Sequence, residues 1–356
     1  MKWDIKNIIK KMKKIINEFK TSGGKHCITN ALKQLFEYYN FPLTEEMIFG
    51  IGSGLSFVDI NLEKSPMVSG RIKPFEFEKK LGERLNIDMQ CKSSSSYKNA
   101  FNKTIKLIND NKPILAYVDM PFLDYLSLDA DSHFGGHAVV IFGYNDETEK
   151  FYISDRDNSD YPIRTPKGYI SEDYHLVDYK QTELARSSKH RPFPAHNKYL
   201  DVEFNNCKPV TSSIIFSAIK ETCDNMLNAP AQLLGLNGIN KFSIEILKWN
   251  KFSDEKLAAI TNYFQIKADG GTGGGIFRRR YGDFLIQASD IVGCEQMNQL
   301  GIEYIAISHK WDRVGDLMWG LYETTERQLL KEMSELIKEI HIGETDVLTK
   351  LRRIII

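Results

Sequence analysis

The chain has 356 residues, 42% hydrophobic and 26% charged, a globular balance long enough for two domains. Lysine plus arginine and aspartate plus glutamate both number 47, so the formal net charge is zero and nothing global draws the chain toward nucleic acid. No run approaches the ~18–20 apolar residues of a membrane span, and the five scattered cysteines, with no CxxC pair, argue against a disulfide framework and for a reducing, cytoplasmic setting.

Residues 2–20 place Trp3, Ile5, Ile8, Ile9, Met12, Ile15, Ile16 and Phe19 on one helical stripe with lysines opposite. The segment 1–21 therefore reads as an amphipathic helix that caps the protein's own core rather than a membrane. It lacks the apolar run and small-residue cleavage site of a secretory signal. Further on, Ile28 to Tyr39 predicts a helix, ended by Pro42, and Thr44-Glu45-Glu46 opens another that runs into Gly50-Ile51-Gly52-Ser53-Gly54. Helices are expected over Phe75 to Leu85 and Tyr97 to Asn109. Strands are expected over Ile114 to Asp119, His137 to Tyr144 and Phe151 to Ser154, with weaker signals at Tyr161 to Ile163 and Tyr174 to Val177. Residues 186–210 are basic, carry Pro192, Pro194 and Pro209, and read as a linker. Beyond Thr211 the pattern is helical: Ser212 to Leu227, Ser243 to Asn250, Ser253 to Gln265, Phe277 to Val292, Glu295 to Leu300, His309 to Tyr322 and Thr325 to His341. The expected division is a mixed domain over 22–185, the linker over 186–210, and a helical domain over 211–356.

Three residues draw together as chemistry. In Ser22-Gly23-Gly24-Lys25-His26-Cys27 the glycines permit a sharp turn and a helix opens at the cysteine. A thiol there meets the positive end of the helix dipole, which favours the nucleophilic thiolate. The same helix start can hold the oxyanion formed when sulfur attacks a carbonyl. Phe134-Gly135-Gly136-His137 puts a histidine at the head of an apolar strand, and Asp155 closes the partner strand of the same hairpin, within a few residues of His137 across the ladder. A carboxylate so placed fixes the imidazole tautomer and stabilises the imidazolium. Cys91, Cys207, Cys223 and Cys294 lack such surroundings. Asp129, Asp131, His133 and His137 lie close in sequence, but the two glycines between the histidines spoil a helical ligand pair, and no metal is expected.

Two glycine-rich segments stay open between readings. Gly270–Gly275 precede Phe277-Arg278-Arg279-Arg280, so Gly274, Gly275 and Arg278 form either a phosphate-binding loop or a tight interdomain turn with surface arginines. It is not a P-loop, since the Lys-Ser/Thr ending is missing. Gly52 and Gly54 belong either to a packing turn or to one wall of the catalytic cleft.

Gly24-Lys25-His26-Cys27, Phe49-Gly50-Ile51-Gly52-Ser53-Gly54-Leu55, Gly136-His137-Ala138-Val139 and Ile153-Ser154-Asp155-Arg156 together resemble the N-terminal domain of the butirosin biosynthesis protein H family. That domain is similar to papain-like cysteine peptidases, which use Cys, His and Asp in this chain order. The helical C-terminal part resembles the second domain common in that family. The resemblance implies an α+β papain-like domain followed by a helical one, with Cys27 accepting an acyl group, His137 as base and later acid, and Asp155 as the orienting residue. It also implies the substrates: a phosphopantetheine thioester on an acyl carrier protein as donor, with no resident cofactor, and a small amine as acceptor, in secondary-metabolite biosynthesis. One departure is that Thr21 stands where such peptidases commonly carry a glutamine oxyanion donor, which turns the expectation from peptide cleavage toward acyl transfer. The rivals are a cysteine amidase or peptidase, and a catalytically idle module that holds a carrier protein or peptide.

Overall fold

A computed structural model describes residues 12–61, 66–191, 193–252 and 254–355. It is a mixed α/β structure with a helical C-terminal region. The chain divides into two compact units, and neither is continuous: Met1–Pro42 with Cys91–Asp201, and Leu43–Gln90 with Val202–Ile356.

The first unit is built on an antiparallel sheet. Strands His175–Asp178, Lys150–Ser154, His137–Asn145 and Ile114–Val118 follow one another, and Tyr199 and Leu200 then pair with Ala116 and Leu115. The strand His137–Asn145 is buried at every residue from His137 through Tyr144. Burial at successive residues means both faces are covered, and helices Cys27–Tyr38 and Tyr97–Asn109 both pack on this strand. The first helix buries Ile28, Leu32, Leu35 and Phe36, the 3.6-residue stripe legible in its sequence.

Two expectations about this unit are corrected. Lys13–Ile15, inside the expected N-terminal helix, is a strand paired with Gly143–Asn145, and Ile16 donates its N–H to the Phe142 carbonyl. The open edge of the His137 strand beyond the end of Ile114–Val118 supplies those hydrogen bonds; the rest of that expected helix, residues 1–11, lies outside the described residues. Two parts of the expected linker over 186–210 belong to regular elements: Arg186 is fully buried in helix Tyr179–Ser187, and Tyr199–Glu203 is a strand.

The second unit shows why residues 43–90 depart from the expected contiguous domain. Helix Glu45–Ile51 and hairpin Leu55–Asn61/Pro66–Arg71 bury their aromatic side chains among C-terminal residues. Phe49 stacks on Phe277 (centroids 5.5 Å apart), Phe57 stacks on Trp311 (5.6 Å), and Glu45 pairs with the buried Arg280 at 3.1 Å. Helices Arg278–Val292, Glu295–Thr324 and Arg327–Ile354 form its long elements. The middle one replaces the two shorter helices expected from sequence. Gly301 sits inside that helix where a Cβ would lie 2.8 Å from the Gly282 carbonyl oxygen of the neighbouring helix.

Among the described residues no helix is long and apolar enough to cross a membrane.

Candidate active site

Cys27 is the first residue of its helix and is half-buried. His26 caps that helix: its ring Nδ1 accepts the Thr29 N–H at 3.3 Å. His137 heads its strand opposite Val118. In the neighbouring pair Val140 faces Ser154, so continuing the register sets Asp155 across from Val139, diagonal to His137 and on the same face. The side chains meet: His137 Nε2 lies 2.7 Å from Asp155 Oδ2, and both are buried. With Nε2 on Asp155, the other ring nitrogen is left for Cys27, to which His137 is also hydrogen-bonded.

The electrostatics follow from that arrangement. Burial alone would lower the His137 pKa; the charges of Asp155 and Cys27 and the hydrogen bonds to both overcome it and raise the imidazole from 6.5 to about 10. Burial alone would raise Asp155, but His137 and the Arg156 N–H (2.7 Å from Oδ1) hold it down, from 3.8 to about 2. The site therefore keeps an anionic aspartate against a cationic imidazole, and that imidazolium favours the anionic form of the sulfur beside it.

Side chains from the cysteine helix tie it to the aspartate. Asn30 donates to the Ser22 carbonyl at 2.9 Å and to the Asp155 carbonyl at 3.3 Å, and Gln34 accepts from the Ser154 hydroxyl at 2.7 Å. The Gly24 N–H reaches the Arg156 carbonyl at 2.8 Å. The loop before the cysteine is thus sewn to the turn after the aspartate. Asn30 and Gln34 had no distinguishing signal beyond being polar residues one and two turns into an otherwise apolar face. Tyr125, whose hydroxyl donates to Asp155 Oδ2 at 2.8 Å, carried none at all.

The other site residues expected from sequence lie in the second unit. Gly52 and Gly54 lie in the second unit, buried against the rings of Phe77 and Phe49, a packing turn. Gly274 and Gly275 belong to the same unit, and their amides are already used: Gly274 N–H donates to the Thr272 hydroxyl at 3.0 Å and Gly275 N–H to Asp312 Oδ1 at 2.8 Å. Arg278 is fully buried; it pairs with Glu344 at 2.8 and 3.1 Å and also donates to the Ser56 and Ile276 carbonyls at 3.0 Å. These groups are engaged within the protein, and Arg278 and Arg280 are buried rather than at the surface, so neither the phosphate-loop expectation nor a turn with surface arginines describes this segment. His133 bonds Asp119 at 2.9 Å while His137 bonds Asp155, so the two histidines serve separate carboxylates.

Fold and geometry together define a class: a mixed α/β protein in which a helix-opening cysteine, a strand-opening histidine and a buried aspartate form one hydrogen-bonded line. Residues 26–156 match the family model described as butirosin biosynthesis protein H, N-terminal. That match starts one residue before Cys27 and ends one residue after Asp155, so it takes in all three. Residues 180–351 match a domain of unknown function, DUF4872. No curated protein matches the chain.

Proposed function

We propose that the protein is a biosynthetic enzyme of papain-like type, a cysteine-dependent acyltransferase that carries an acyl or aminoacyl group from a carrier-protein thioester to an amine in antibiotic or related secondary metabolism. The observation that carries the reading is His137 held between Asp155, at 2.7 Å, and Cys27. The order Cys, His, Asp along the chain and the family of residues 26–156 support the papain-like assignment and the biosynthetic setting.

In the first half-reaction the Cys27 thiolate attacks the thioester carbonyl. The bond from that carbon to the donor sulfur breaks, and the departing thiol takes its proton from the His137 imidazolium. In the second, the acceptor amine attacks the acyl-enzyme and gives a proton to neutral His137. The carbon–sulfur bond to Cys27 then breaks, leaving an amide and restoring the starting pair. Asp155 holds the imidazole orientation in both steps and stabilises its cationic form. The positive end of the helix dipole at Cys27 faces the developing oxyanion.

The two reactions that share this intermediate separate by product. Incubation of an acyl carrier thioester with and without a small primary amine is expected to give amide only when the amine is present, with slow release of free acid in its absence. Rapid amine-independent release of acid would identify a hydrolase instead.

A further inference from the structure

Asp155 carries more donors than a histidine-orienting carboxylate requires. Oδ1 accepts the Arg156 N–H, while Oδ2 accepts both His137 Nε2 (2.7 Å) and the Tyr125 hydroxyl (2.8 Å). Tyr125 lies in a single 3-10 turn, Asp124–Leu126, between the Ile114–Val118 and His137–Asn145 strands. Its ring stacks flat on His175, with centroids 3.7 Å apart and planes 7° from parallel. His175 is itself fixed by the buried Asp157, whose oxygens lie 2.9 and 3.1 Å from its Nε2. Asp157 also accepts the Glu172 N–H at 2.9 Å, which closes the excursion between the strands Lys150–Ser154 and His175–Asp178. Burial, with the neighbouring charge of Asp155, pushes the Tyr125 hydroxyl well above its ordinary range, so it stays a donor at every working pH.

We propose that Tyr125 is a positioning residue for this site, clamped by the His175–Asp157 pair, whose hydroxyl locks the Asp155 carboxylate in the orientation that holds His137 toward Cys27. This rests on the nucleophile–base reading above and adds a residue to it. Without Tyr125, Asp155 keeps one donor on each oxygen and its carboxylate can turn about Cβ–Cγ. With Tyr125, Oδ2 is fixed from two directions. A hydrogen bond to an ionised group is worth about tenfold or more in an equilibrium, and its loss here lets Asp155 hold the imidazolium less well.

The test uses the full chain and iodoacetate, with alkylation of the Cys27 peptide followed by mass spectrometry across pH. Iodoacetate is an anion drawn to the His137 imidazolium, so displacement of its iodide by the Cys27 thiolate slows once that proton is lost; the basic edge of the profile reports His137. The wild type is expected to show a His137-dependent edge that His137→Ala abolishes. Tyr125→Phe, which keeps the stacked ring, is expected to move the edge down by about one pH unit, with the rate on the plateau about tenfold lower. Asp157→Asn, which leaves the hydroxyl but loosens the clamp, moves the edge the same way by less, and it carries the test should Tyr125→Phe fail to fold. A His137-dependent wild-type edge that stays in place in the folded variants overturns the positioning role alone. A wild-type profile that ignores His137→Ala overturns the nucleophile–base reading and this proposal with it.

Discussion

His137 Nε2 sits 2.7 Å from Asp155 Oδ2, a carboxylate without exposure to solvent, although His137 opens one strand and Asp155 follows the end of its neighbour. The contact follows from the register: Val140 opposite Ser154 puts the residue after the strand end on the diagonal of the residue that opens the other strand.

Asp155→Asn removes the charge while keeping the shape. The amide offers Nε2 a weaker acceptor and no longer stabilises the imidazolium. With a hydrogen bond to a charged group worth about 1.5–3 kcal/mol, acyl transfer is expected to fall about ten- to hundredfold in kcat, measured by steady-state amide formation.

The same pair predicts how stability depends on pH. His137 is raised from 6.5 to about 10, so its contribution is complete below pH 6.5 and fades as pH rises through about 10. Asp155 is lowered from 3.8 to about 2, so its contribution is present above 3.8 and fades as pH falls through about 2. The gap in melting temperature between wild type and Asp155→Asn should therefore be widest from about pH 4 to 6.5 and close toward pH 10. A gap that does not vary with pH would contradict the pairing.

Glu344 is the buried partner of Arg278 and also accepts from Trp311 Nε1 at 3.0 Å. Glu344→Gln strands a fully buried guanidinium. Breaking such a pair from one side costs about 3–5 kcal/mol, to be read as a lower urea midpoint. Arg278→Ala should destabilise comparably, whereas a surface phosphate-binding arginine would tolerate the change.

How much of this was legible in the sequence varies element by element. Tyr97–Asn109 and Ser212–Leu227 fall where expected, because Ser96 and Thr211 cap them and their apolar positions keep helical period. Cys27, His137 and Asp155 could be singled out because each sits at the end of an element that sequence marks well. The strands Lys13–Ile15 and Gly168–Ile170 are too short to show alternation, and residues 199–203 were hidden by the prolines around them. The close packing at Gly301 depends on the approach of Gly282, and the burial of Arg278 on Glu344, 66 positions away. Such partners are set by tertiary packing, which no local pattern encodes. Tyr125 was missed for the same reason: its meaning lies in Asp155 and His175, both far along the chain.

Whether Cys27 carries the acyl group is read by intact-mass spectrometry of the full chain after brief incubation with an acyl carrier thioester and no amine. A mass increase equal to the acyl group is expected, mapped to the Cys27 peptide, absent in Cys27→Ala and discharged as amide when amine is added. An unmodified Cys27 together with undiminished amide formation by Cys27→Ala would contradict that role.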